Sequence, residues 1–282
     1  MRLLTILARF GTDQYAEAEE RLSRIFTRQM PTVERTIVVV DNALPRDMLQ
    51  EQSGRVLVGG DNRVFEFSAF DRALDHIGPR ISSFDLVHFA TSAFDTLYTA
   101  YLDRFDDRLL AAIADRPIAV GHIDCYNEPV ELLSFRSQHW MRSCFFIMPP
   151  TEARILGSFV SIDDGGRFFS GRPETPFRVD APIGSSYQQY ITDWLIGRDI
   201  GQGVEWHSSF ALSDVTLPIF ERKALSIMNE HLLAIRLRAL GCRLVDVTWL
   251  SDQLSRLAPA QIEWSTDWRD QLAGRDRDAI RP

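Results

Sequence analysis

Hydrophobic residues in the first half of the chain follow two alternating periods. Short apolar runs rich in β-branched residues predict strands that are buried on both faces of a sheet. These runs are 3–10, 36–41, 55–58, 84–90 and 117–123. Between them, apolar residues recur every three or four positions, which predicts helices over 13–28, 68–77 and 97–114. This alternation predicts an α/β fold with a mostly parallel, twisted sheet flanked by helices.

The second half of the chain has a looser pattern. Apolar runs predict strands over 143–148 and 243–247, and an apolar stripe predicts a long helix over 220–240. The stretch 163–177 is rich in glycine, proline and charge, which favours a loop. The polar tail, 269–282, predicts no regular structure.

Composition places the chain among ordinary soluble globular proteins. Of its 282 residues, 45% are hydrophobic and 25% are charged, so neither disorder nor a fibrous repeat is expected. The net charge is −8, and lysine and arginine form no cluster, which argues against nucleic-acid binding. The three cysteines lie far apart with no CxxC pair, as expected of reduced thiols. The apolar start ends at Arg9, too early for a signal peptide, and no window could span a bilayer, so we expect a cytoplasmic protein.

Polar residues gather where the predicted strands end. In open parallel sheets, ligands bind in the crevice beyond the carboxyl ends of the strands. The segments at these ends are 9–12, 41–42, 59–62, 91–95 and 122–124. The chain has no GxSxG or GxGxxG motif and no GxxxxGK followed by Ser or Thr, which disfavours a hydrolase elbow, a dinucleotide site and a phosphate loop.

Several segments resemble family-2 GT-A glycosyltransferases, which include bacterial polysaccharide enzymes. In the first half these are VVVDN at 38–42, the glycine pair 59–60 with Asn62, and FDLVHFATSAFD at 84–95. In the second half, 229–241 looks like the family's Glu-Asp-x-Asp-Leu-x-x-Arg-Leu-x-x-x-Gly helix. The resemblance implies a single GT-A-like domain over 1–268, with a nucleotide-binding half, 1–125, and an acceptor and catalytic half, 126–268.

The resemblance implies roles for two acids. In the family, the acid that closes the second strand hydrogen-bonds the base of the nucleotide, and Asp41 holds that position. Glu230 matches the family's catalytic base, which deprotonates the acceptor hydroxyl. Glu230 also lies off the apolar stripe of its helix, so its carboxylate can face a cleft and accept a proton from a sugar hydroxyl. Without the motif, Glu230 would be interpreted as a solvated helix residue.

The region after the strand at 84–90 departs from the family pattern. The family commonly has an acidic pair there that holds a divalent cation against the diphosphate, whereas this chain has Thr-Ser-Ala at 91–93. Asp95 is the first acid that could bind Mg²⁺ or Mn²⁺, or a sugar hydroxyl, and one carboxylate makes a weak metal site. The charge of the diphosphate could instead be met by Arg63, Arg72 or the backbone amides of a helix that starts at Ser68. Arg72 is equally interpreted as a surface residue in an ion pair.

Further polar residues at the strand ends complete the predicted donor site. Asn42, Asn62 and Glu66 are placed to bond to hydroxyl groups of a nucleotide sugar. Asp124 is placed to contact the donor sugar or the acceptor. Asp124 and His122 also have the alternating spacing of two metal ligands on a strand, without a third ligand.

Histidine and tryptophan residues of the second half allow other interpretations. Glu205 and His207 have the same alternating spacing as a pair of metal ligands. Trp140, Trp206 and His139 are candidates for an acceptor platform, although buried packing is the commoner fate of tryptophan.

Together these features predict an enzyme that transfers a sugar from a nucleotide-diphosphate donor to a glycan or lipid-linked acceptor. The expected pathway is the assembly of a surface polysaccharide, and a lipid-linked acceptor would bring the protein to a membrane surface. With Glu230 as the base, the reaction inverts the anomeric centre. The alternative is a degenerate GT-A-like protein that binds a nucleotide sugar or a protein partner without catalysis, which the absence of the acidic pair motivates.

Overall fold

The computed structural model describes residues 1–97, 100–198, 208–273 and 275. This part of the chain contains eight strands and eight α-helices. The strands are β1 (Arg2–Arg9), β2 (Glu34–Asp41), β3 (Leu49–Gln52), β4 (Arg55–Gly59), β5 (Leu86–Thr91), β6 (Ile118–Leu132), β7 (Phe135–Met148) and β8 (Arg243–Asp246). The helices are α1 (Ala18–Gln29), α2 (Phe65–Ile77), α3 (Asp107–Ile113), α4 (Pro150–Leu156), α5 (Ser185–Ile196), α6 (Leu217–Ala239), α7 (Val247–Arg256) and α8 (Trp268–Leu272). None of these described helices is both long enough and apolar enough to cross a membrane.

The strands form one mixed sheet in the order β3-β4-β2-β1-β5-β7-β6-β8. The pairs β1/β2, β1/β5, β2/β4 and β6/β8 are parallel, whereas β3/β4, β5/β7 and β6/β7 are antiparallel. The α/β class is therefore confirmed, but the sheet is mixed rather than mostly parallel. The change of direction comes from the hairpin of β6 and β7, in which Leu132 pairs with Phe135. Only two residues connect β6 to β7, and so short a connection makes the two strands antiparallel, because a parallel pair needs a long crossover.

Helices cover both faces of the sheet. Along β1, Leu4 and Ile6 belong to one apolar cluster and Leu3 and Leu7 to another, and all four side chains are fully buried. The first cluster includes residues of α2, α4, α5 and α6, and the second includes residues of α1, α3 and α7. Burial on both faces explains why these strands are continuous apolar runs in the sequence.

Two helix starts differ from the prediction. In place of a helix over 97–114, the regular helix is only α3, whose N-cap Asp106 accepts the Leu109 N–H at 2.7 Å. Ser68 is not an N-cap, because α2 already begins at Phe65 and the Ser68 hydroxyl donates to the Phe65 carbonyl at 3.0 Å. Serine and aspartate can cap a helix or bond within one, and the upstream backbone decides between these roles.

The start of the C-terminal tail is structured, contrary to the prediction for 269–282. The Gln271 side chain in α8 is 3% exposed, accepts the Asp246 N–H at 2.6 Å and donates to the Leu244 carbonyl at 3.3 Å. Beyond α8, Arg275 donates to the Asp246 carboxylate at 2.9 Å. These polar side chains satisfy buried groups at β8, a role that hydrophobic periodicity does not reveal.

Candidate functional site

A cavity of about 700 Å³ opens at the carboxyl ends of the central strands. β1 lies between β2 and β5, so successive strands are added first on one side of β1 and then on the other. Such a switch point leaves a crevice in an open α/β sheet, where ligands bind. Residues 8–10 at the end of β1 and 91–93 at the end of β5 line the cavity, and β6, β7, α5 and α6 provide further wall residues.

Glu230 on α6 faces this cavity. Its Oε1 accepts the Ser143 backbone N–H at 2.6 Å and lies 2.8 Å from the Ser143 hydroxyl. Burial raises the pKa of Glu230 to about 7; the Ser143 N–H opposes the rise and the nearby Glu66 carboxylate adds to it. A carboxyl with a pKa near 7 can exchange a proton with a substrate at neutral pH.

Glu66 reaches the same serine from the first turn of α2. The Ser143 hydroxyl lies 2.9 Å from Glu66 Oε1, and the Ser226 hydroxyl lies 3.4 Å from each oxygen of that carboxylate. Lys223 is close by: burial lowers its pKa, and the Glu66 carboxylate opposes that decrease. The cavity therefore contains two carboxyl groups that meet at one hydroxyl.

Asp124 is held in a network of buried charges on the cavity wall. Arg142 Nε donates to it at 2.5 Å, His122 Nε2 lies 3.4 Å away, and Arg275 lies 3.9 Å away. Burial alone would raise the pKa of Asp124, but the Arg142 guanidinium and His122 outweigh it and lower the pKa. Asp124 is therefore ionised, and arginine already balances its charge, which disfavours it as a ligand for a metal ion.

Asp41 lies beneath the cavity rather than on its wall. It is 2% exposed, and its carboxylate accepts Arg9 Nε at 2.8 Å and the Gly11 N–H at 2.8 Å. These bonds fix Arg9, which lines the cavity. Asn42 and Asn62 both line the cavity, where the Asn42 amide donates to Asn62 Oδ1 at 3.3 Å.

Besides Asp41, the structure separates four of the predicted donor-site residues from the cavity wall. Asp95 is 9% exposed and forms an ion pair with Arg21 at 3.7 Å. Arg63, Ser68 and Arg72 line a second groove of about 300 Å³. Ser68 and Arg72 are four residues apart on α2 and share a helix face. This face borders the second groove, whereas Glu66 lies on the wall of the large cavity.

The remaining candidates do not come together at one place. Trp140 lines the cavity, whereas His139 stacks on Trp268 with 5.3 Å between ring centres. No group of three or more His, Cys, Asp and Glu side chains is arranged to hold a metal ion among the residues that the structure describes. Outside the described residues lie Glu205, Trp206 and His207.

Positive side chains outnumber acids on the described cavity wall, although the whole chain carries a net charge of −8. The cations are Arg9, Arg142, Arg222, Lys223 and Arg275, and the acids are Glu66, Asp124 and Glu230. Arg9 and Arg275 also pair with Asp41 and Asp246 behind the wall, so the cavity offers an anionic ligand oriented guanidinium groups rather than an excess of charge. Sequence analysis missed Arg142, Ser143 and Arg275. The one sequence signal for Arg142 and Ser143 is that this polar pair interrupts an apolar run. Arg275 lies in the polar tail, where no pattern distinguishes it.

Comparison of the chain with protein-family models, with curated proteins and with solved structures finds no match.

Proposed function

We propose that the protein is a GT-A-like glycosyltransferase that moves a sugar from a nucleotide-diphosphate donor to a hydroxyl of a glycan or lipid-linked acceptor. The observation that carries the proposal is the Glu230 carboxyl on the wall of a 700 Å³ cavity at the switch point of the sheet, where burial raises its pKa to about 7. A cavity of this volume is large enough for a nucleotide sugar. The product is a building block of surface polysaccharide.

The oriented arginine side chains of the wall support a diphosphate in the cavity. Arg9 is held in place by the buried Asp41 and Arg142 by the partly buried Asp124, so each guanidinium is oriented before a ligand arrives. Such preorganised cations stabilise the charge that develops on the leaving diphosphate. Asn42 and Asn62 offer amide groups to the ribose or the base on the same wall. A divalent cation bound by Asp95 has no place in this mechanism, since Asp95 lies off the wall and pairs with Arg21.

Glu230 performs the proton transfer. As the acceptor oxygen attacks the anomeric carbon, its O–H bond breaks and the proton passes to the Glu230 carboxylate. The bond from the anomeric carbon to the diphosphate oxygen breaks, and its electron pair leaves with the nucleoside diphosphate. Attack from the face opposite the leaving group inverts the anomeric centre.

The test is the substitution Glu230→Gln, which keeps the shape of the side chain and removes its basicity. Release of nucleoside diphosphate from UDP-, GDP- and dTDP-linked sugars, with water as the acceptor, requires no knowledge of the natural acceptor. We expect E230Q to lose about 10²- to 10⁴-fold in turnover, the usual contribution of a general base. Calorimetric affinity for the same donor should stay within a few fold.

Glu221→Gln is the matched control, because Glu221 lies on the same helix and is absent from the cavity wall. E221Q should retain wild-type turnover. Equal turnover by E230Q and the wild type would remove Glu230 as the base. Donor binding without turnover by the wild type would identify the nucleotide-sugar-binding protein considered as the alternative. No binding to any donor would refute both nucleotide-sugar functions and leave the protein-partner form of the alternative.

A further inference from the structure

Ser143 Oγ touches two carboxyl groups at once. It lies 2.8 Å from Glu230 Oε1 and 2.9 Å from Glu66 Oε1, both within the range of a hydrogen bond. The two glutamates come from α6 and α2 and are brought together only by the fold. All three residues line the cavity.

The number of hydrogens at this junction limits its protonation state. A serine hydroxyl has one hydrogen, so it can donate to only one of the two carboxyl oxygens. The other contact would place two lone pairs face to face unless that carboxyl carries a proton and donates it to Oγ. Both contacts are hydrogen bonds only when Glu66 and Glu230 hold at least one proton between them.

The geometry points to Glu66 as a positioning residue. Glu66 and Glu230 are bridged by Ser143 Oγ and act together as one proton acceptor. This pair takes up a single proton from the acceptor hydroxyl. The catalytic use of the Glu66–Glu230 pair rests on the proposed function, whereas the sharing of a proton between the two carboxyls does not. The form that accepts the proton is the one in which neither carboxyl carries it, and repulsion between the two charges makes Glu230 a stronger base in that form. The acceptor proton moves to Glu230, and Ser143 Oγ can then accept it while donating its own hydrogen to Glu66.

The other charged and titratable groups around the pair come from four elements. β7 contributes Arg142 and Cys144, β6 contributes Tyr126, α5 contributes Tyr187, and α6 contributes Lys223. Burial raises the pKa values of Cys144, Tyr126 and Tyr187, so these three groups stay neutral at neutral pH. Burial raises the pKa of Glu230 to about 7, so we expect the carboxyl pair to take up a proton near neutral pH.

The experiment is a titration of the two side-chain carboxyl groups by ¹³C NMR, which needs neither donor nor acceptor. In the wild type we expect each signal to shift in two steps, at pH values common to both residues, as coupled groups do. In Glu66→Gln, Glu230 should titrate once, roughly one pH unit or more below the upper step of the wild type. Ser143→Ala should reduce the coupling, and the control Ser226→Ala, which removes a hydroxyl that contacts Glu66 alone, should preserve it.

Activity gives the second readout. If Glu66 strengthens the base, the acid limb of the kcat/KM profile for donor hydrolysis moves to lower pH in E66Q by the same interval as the NMR step. If the role of Glu66 were merely structural, E66Q would change the height of the kcat/KM profile and leave its pH midpoint unchanged. Thermal melts show whether each variant folds. If E66Q fails to fold, S143A is compared with the wild type instead.

The two hypotheses fail differently. Independent single-step titration of Glu66 and Glu230 in the wild type overturns the shared proton, even if the protein transfers sugar. Coupled titration in a protein that neither binds nor hydrolyses a nucleotide sugar upholds the pair and overturns the proposed function.

Discussion

His88 makes the stability of the fold sensitive to acid. Its side chain on β5 is fully buried between Phe26 and Phe145, with ring centres 5.5 and 4.2 Å away. Neither ring nitrogen has a hydrogen-bond partner among the described residues. Burial and, to a smaller extent, the positive charge of Arg35 lower the pKa of His88 to about 3. The perturbation we develop is His88→Leu, which keeps an apolar side chain in this position.

The magnitude follows from proton linkage. An unfolded histidine has a pKa of about 6.5, so between pH 6.5 and about 3 the unfolded chain binds one proton that folded His88 does not. The free energy of unfolding therefore falls by about 1.4 kcal/mol for each unit of decreasing pH in this window. From pH 6.5 to 5.0 the loss due to His88 is about 2 kcal/mol. At pH 7.5 histidine is neutral in both states, and removing two unpaired ring nitrogens should stabilise H88L by about 1–3 kcal/mol before any repacking cost.

Urea unfolding followed by tryptophan fluorescence at pH 7.5 and 5.0 measures the effect. We expect the wild type to lose about 2 kcal/mol more than H88L between the two pH values. The control Phe89→Leu changes a neighbouring buried ring that does not titrate, so its cost should be equal at both pH values. An H88L protein with the same pH dependence as the wild type would refute the reasoning.

Three further substitutions test buried contacts of the fold by the same urea assay. Asn229→Ala removes a fully buried amide that accepts the Ser161 and Ile162 N–H groups at 2.6 and 3.0 Å, and should cost about 3 kcal/mol; no loss would contradict these bonds. Gly59→Ala would place a Cβ 1.7 Å from the Pro45 carbonyl oxygen, so we expect a loss of about 1–3 kcal/mol; full stability would show that this loop moves freely. Arg275→Ala leaves the fully buried Asp246 carboxylate without its arginine, and should cost about 3–5 kcal/mol unless Asp246→Asn is introduced with it.

Local patterns predicted much of the first half of the fold. The runs 3–10, 36–41 and 55–58 correspond to β1, β2 and β4 because a strand buried on both faces is apolar at every position. The helix α6 and the position of Glu230 off its apolar stripe were predictable for a similar reason, since helical periodicity fixes which side chains share a face.

The hairpin of β6 and β7 was only partly predictable. The apolar runs 117–123 and 143–148 lie at its two ends, but the polar, half-exposed stretch between them carries no strand signal. The pairing of the two strands with each other, rather than their sequence period, makes that stretch extended.

The sequence by itself determined the α/β class, the strands at the centre of the sheet and the presence of an acid on the long helix, since each of these depends on residues a few positions apart. Only the tertiary structure decided which polar groups meet. Ser143 is 77 residues from Glu66 and 87 from Glu230, and Arg275 is 152 residues from the Ile123 carbonyl to which it donates. Asp95 follows a strand and Arg72 lies on a helix as expected, yet neither residue lines the cavity. Contacts of this kind depend on strand register and helix rotation, which are set by the packing of the whole core.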